Sequence, residues 1–76
     1  MMEIRADIDA SVWQVHVEVG QEVTQSEELI VLESMKMEIP VEASTAGAVA
    51  SLFVAPGDTV KRGDVLLVLE KRPTPS

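Results

Sequence analysis

No cysteine occurs in this chain, so neither a disulfide nor a thiolate metal site can staple it. Aromatic residues are nearly as scarce, at 3% against a hydrophobic fraction of 46%. The core must therefore be built from Val, Leu, Ile and Ala, which favours sheet over helix. Positive charge is thin as well. Six Lys and Arg stand against 13 Asp and Glu, a formal net charge of -7. That balance argues against nucleic acid and against anionic membrane surfaces, since both require a basic patch. No apolar run reaches the length of a membrane span. The start, Met1-Met2-Glu3-Ile4-Arg5, lacks the basic and apolar segments of a signal peptide. The cytoplasm is the expected compartment. With 76 residues the chain makes one small domain with a low buried fraction, expected to be a monomer on its own.

Catalytic groupings are missing too. His16 is the single histidine, with no cysteine or second histidine to complete a metal site, and it reads as a plain strand residue. No Ser, His and Asp set suggests nucleophilic catalysis. Gly20 and Gly57 lack the further glycines and the following helix of a phosphate loop.

What is present centres on Glu33-Ser34-Met35-Lys36-Met37-Glu38. The apolar run Leu29-Ile30-Val31-Leu32 precedes it and Ile39-Pro40-Val41 follows, which reads as a hairpin. About as many residues precede Lys36 as follow it. A lone lysine is ordinarily a surface residue. Two large apolar methionines beside it on a turn are not ordinary, because turns favour polar residues. A two-residue turn at Met35-Lys36 would ask both for positive φ, a demand that hairpins usually meet with Asn or Gly. The tip is therefore either a longer type I turn or locally strained.

Strands are expected over residues 3–8, 12–19, 29–33, 39–43, 48–54 and 65–70, with turns at Gly20-Gln21-Glu22-Val23 and Gly57-Asp58-Thr59-Val60. Pro40 cannot donate to a ladder, so its strand belongs at an edge. Trp13 reads as a packing residue near the end of the second strand. No window of ten residues keeps an uninterrupted 3.6-residue period, so the expectation is an all-β domain of seven or eight short strands. The chain also repeats itself at an offset of 37: Ala6 falls on Ala43, Val12 on Val49, Gly20 on Gly57, Leu29 on Leu66, and Val31-Leu32-Glu33 on Val68-Leu69-Glu70. Two four-strand halves imply a flattened β-barrel or sandwich with internal pseudo-twofold symmetry, each half covering the other's apolar face. Val31, Leu32, Val68 and Leu69 should then be buried. The symmetry mate of the Lys36 hairpin is the place where the termini meet.

The Met-Lys-Met tip, the paired Gly-Gln/Asp-x-Val turns and the half-chain repeat together resemble the biotinyl domains of the biotin carboxyl carrier family, over residues 4–70. The small size is similar to the short free-standing biotin attachment proteins of bacteria. The resemblance implies a flattened barrel of two four-stranded antiparallel sheets, spanning residues 1–70; the tail at 71–76, with two prolines and no apolar residue, reads as flexible. It implies covalent biotin in amide linkage on Lys36. Met35, Met37, Glu33, Ser34 and Glu38 become the surface read by a biotin protein ligase. Such carriers shuttle a carboxyl group between a biotin carboxylase and a carboxyltransferase of an acyl-CoA carboxylase (acetyl-CoA carboxylase among them) or a 2-oxo acid carboxylase, and catalyse neither step. Two positions depart from the family's habit. Ser34 stands where Ala is usual, and Ala10 stands where half two has Gly47. Related lipoyl domains share the fold but carry Asp-Lys-Ala at the tip. A lipoyl carrier and an unmodified interaction domain are the alternatives. Nothing in the chain reads as a base for the lysine, so the ligase must supply one.

Overall fold

A computed structural model describes residues 1–71; the rest of the expected tail lies outside the described residues. Eight strands are present among them and no helix: β1 (Met2–Arg5), β2 (Ala10–Val15), β3 (Glu22–Val23), β4 (Glu28–Ser34), β5 (Met37–Glu42), β6 (Gly47–Leu52), β7 (Thr59–Val60) and β8 (Val65–Lys71). They form two four-stranded antiparallel sheets, in the orders β1-β8-β6-β3 and β5-β4-β2-β7. Moving each strand four places along the chain turns the first order into the second. The 37-residue repeat is thus a repeat of topology.

The register repeats with it. Val12 stands opposite Leu32, and Val49 opposite Leu69. A bulge falls between Val12 and Gln14, and its mate falls between Val49 and Ser51. The extra residue explains why the inward valine and the next inward position are three apart, not two, in both β2 and β6. Loop hydrogen bonds recur as well. The Gly57 amide donates to the Val12 carbonyl at 2.8 Å, and the Gly20 amide to the Val49 carbonyl at 2.8 Å. Each glycine turn of one half is therefore fastened to a strand of the other. Both glycines hold positive φ, 91° and 96°.

The core lies between the sheets and is built from mates: Leu29 and Leu66, Ile30 and Leu67, Leu32 and Leu69 are all at most 1% exposed. No side-chain polar atom is buried without a partner among the described residues. Of the four residues expected to be buried, Val31, Leu32 and Leu69 are, but Val68 is only half-buried. Alternation puts Val31 and Val68 on the outer faces of their sheets. The bulge beside Val31 carries Trp13, and Pro40 stands across from it; the matching positions beside Val68 are Ala50 and Glu3. Larger apolar neighbours cover Val31, and small or charged ones leave Val68 open.

Several boundaries correct the expectations. β1 stops at Arg5 rather than residue 8, and β2 stops at Val15 rather than residue 19. Beyond Val15 the chain leaves the ladder, and Val19 is 62% exposed. His16 follows β2, its amide donating to the Leu29 carbonyl at 2.9 Å. Trp13 sits mid-strand and 44% exposed, not packed at the strand's end. Glu22–Val23 and Thr59–Val60 are short strands as well as turn neighbours. Lys71, expected in the tail, closes β8 opposite Gly47. Pro40 does lie on an edge strand, since β5 pairs with β4 alone.

Candidate functional site

The β4-β5 hairpin is the longest continuous ladder of its sheet, running without a break from Ile30–Val41 to Ser34–Met37 above a bulge between Glu28 and Ile30. Ser34 and Met37 are the last pair, so the turn contains only Met35 and Lys36. Both hold positive φ, 52° and 64°. That is the backbone of a two-residue type I′ turn, whose twist matches the strands it joins. The strained alternative is therefore the one the chain adopts. Neither residue is the Asn or Gly that makes such a turn easy, and each costs on the order of 1 kcal/mol for it. The ladder below holds the turn closed.

The tip is a presented group. Met35 is 88% exposed and Met37 57%, so neither methionine belongs to the core. Met37 shares a strand face with Ile39 and Val41 but lies beyond the end of the packed core. Lys36 is exposed, and its amine has no ion-pair or hydrogen-bond partner among the described residues. Lys61 and Lys71 are exposed too, so exposure alone does not single out Lys36. What singles it out is a rigid ladder ending in a two-residue turn, flanked by methionines that can adapt to a partner surface.

Ser34 is half-buried, on the inward face of β4. Glu33 and Glu38 are exposed and stand directly opposite each other, one rung below Ser34–Met37. Two carboxylates facing across a ladder repel and cost a few tenths of a kcal/mol. This rung and the turn both spend stability at the same end of the molecule. The structure thus brings Glu33, Ser34, Met35, Lys36, Met37 and Glu38 together on a single hairpin. No three His, Cys, Asp or Glu residues among the described ones are grouped to hold a metal ion.

A groove that periodicity did not reveal runs between β1 and β5, one edge strand from each sheet. It has a volume of about 320 Å³. Its only sequence signal is the offset of 37, which makes β1 and β5 mates and leaves the same side of both sheets open.

Comparison with known proteins adds four findings. A family model described as "Biotin-requiring enzyme" matches residues 2–70. The chain is 45% identical over 67 residues to a "Biotinylated protein TB7.3 homolog" of Mycobacterium leprae, covering 88% of this chain and 94% of that one. It is 41% identical over 68 residues to a "Biotin/lipoyl attachment protein" of Bacillus subtilis, covering 90% and 93%. Among solved structures, a single-chain, multi-domain long-chain acyl-CoA carboxylase superposes with a TM-score of 0.87 at 32% identity. That match covers 95% of this chain but only 7% of the larger protein.

Proposed function

The chain belongs to the biotin-requiring enzyme family, and from that premise we propose that it is a biotin carrier whose biotin is joined to Lys36. The observation that carries this reading is the exposed Lys36 amine, unpartnered among the described residues, on the two-residue Met35-Lys36 turn. An amine so placed can reach into a ligase's active site without any part of the barrel following it. Attack of its nitrogen on an activated biotinyl acyl group forms one amide bond, expels the activating group and releases one proton. The chain supplies no base at the tip, since the nearest carboxylates, Glu33 and Glu38, lie one rung below the last pair. The biotin protein ligase must take that proton.

When bound, biotin supplies a ureido nitrogen that accepts and gives up a carboxyl group. The residues of this chain hold the arm and present it. Carboxylation and transfer then fall to a biotin carboxylase and a carboxyltransferase acting on an acyl-CoA or 2-oxo acid. The likeness to a domain of an acyl-CoA carboxylase supports that partner class. We read the chain as a non-catalytic carrier, since the chemistry belongs to the cofactor and its partner enzymes.

Intact-mass measurement of the chain, made in cells supplied with both biotin and lipoate, tests the reading. A single biotinyl adduct is expected, and Lys36→Arg removes it. A lipoyl adduct would favour the lipoyl carrier, and an unmodified chain the interaction domain.

A further inference from the structure

The groove between β1 and β5 has a size suited to a small ring system. Its floor is apolar. Leu32 and Ile4 are buried there, Ile39 and Val41 are half-buried, and Ile8 is 37% exposed at its mouth. Its rim is polar. Asp7 and Glu42 bring carboxylates, and Arg5 brings a guanidinium. Arg5 is set in place by the Gly63 carbonyl at 2.6 Å and the Glu3 carboxylate at 2.7 Å. The groove exists because both sheets end here: β1 and β5 each pair on one side only. Their outer edges face each other with side chains, and no further strand fills the space.

The position of the groove relative to Lys36 gives it an occupant. Ile39 is three residues from Lys36 on β5, about 10 Å along an extended strand. The lysine stem and the acyl chain of an attached biotin together exceed that distance. The head of biotin is a neutral bicycle, with a thioether ring fused to a ureido ring that offers two N–H donors and one carbonyl. An apolar floor suits the first ring. Carboxylates and a guanidinium suit the donors and the carbonyl of the second.

We infer that the β1-β5 groove is a resting site for the head of the biotin carried on Lys36. This rests on the carrier reading above. The arm folds back along β5, the thioether ring lies on Ile8 and Ile39, and the ureido N–H groups donate to the Asp7 carboxylate. A carboxylated head carries a negative charge, which the rim carboxylates repel. The groove therefore holds the uncharged head and releases the charged one.

The four isoleucines make the test direct: Ile4, Ile8 and Ile39 line the groove, and Ile30 lies in the core, fully buried. The full chain is labelled at isoleucine methyl groups, biotinylated by purified ligase and checked by intact mass. Nuclear Overhauser contacts from the biotin ring protons to the Ile8 and Ile39 methyls are expected, with shifts at Ile4 and Ile8 and none at Ile30. Ile8→Glu, at an exposed position, should keep the fold and the adduct but lose these contacts. A complete adduct with no contact to Ile8 or Ile39 and no shift at Ile4 or Ile8 would overturn the inference and leave the carrier reading standing. Failure to form any adduct would overturn the carrier reading itself, and this inference with it.

Discussion

Three non-glycine residues among those described hold positive φ: Ser26, Met35 and Lys36. They differ in what the strain serves. Ser26 has a mate, Gly63, which holds positive φ as well, at 93°. The hydrogen bonds also match: the Ser26 amide donates to the Ala43 carbonyl and the Gly63 amide to the Ala6 carbonyl, both at 2.8 Å. Half two uses the residue that the turn wants, and half one does not. Ser26→Gly should therefore stabilise the chain by about 0.5–1 kcal/mol, the left-handed penalty relieved less the entropy glycine loses on folding. Urea denaturation measures it. Unchanged or lower stability would mean that the Ser26 side chain contributes something the backbone does not reveal. Met35 and Lys36 have no described mate, and there the strain serves the presentation of the amine. That a strained tip was one of two choices was legible from Met-Lys at a hairpin. Ser26 was not legible, because serine is common in turns of every kind.

At the scale of elements, the hairpin and the corner before β6 each make a separable claim. Exchanging Met35 and Lys36, to give Lys-Met-Met, leaves the ladder and the exposed area nearly unchanged, so the melting temperature should hold. Incorporation of biotin by a purified ligase should fall by orders of magnitude, because the amine leaves its place on the turn. Near-native incorporation would mean that the ligase reads only an exposed amine. The corner is a matter of space. A Cβ at Gly47 would overlap the Glu70 carbonyl oxygen of β8, so Gly47→Ala must push two strands apart. It should cost about 2 kcal/mol or more, in the range of overpacked cores. Ala10, its mate, is a tolerated alanine, and Ala10→Gly should cost only about 0.5–1 kcal/mol. Equal effects of the two in a denaturant titration would contradict this asymmetry. The long strands were legible from their apolar runs. The strands β3 and β7 were not, since two residues carry no period. The end of β2 was misplaced because Val15, Val17 and Val19 keep alternating after the chain has left the sheet. Val17 is still buried there, packed as a loop residue.

The whole molecule is two copies of one plan, and function enters where the copies part. The repeat conveyed two like halves and a shared core, because Leu29, Leu32, Val12 and their mates recur at a single offset; it did not convey that the halves interleave, each sheet taking two strands from each half rather than one half stacking on the other. It could not convey the groove, which depends on how far apart two unpaired edges come to rest. By the same plan the start of β1 lies beside the end of β8, Met2 opposite Leu69, at the mate of the Lys36 hairpin. The central claim is that only one of three exposed lysines is modified. Fragment-ion mass spectrometry of the ligase-treated chain, digested so that Lys36, Lys61 and Lys71 fall on separate peptides, tests it most directly. The account predicts biotin on Lys36 alone, and none anywhere in Lys36→Arg. Biotin on Lys61 or Lys71 in the native chain, at a level comparable with Lys36, would contradict it.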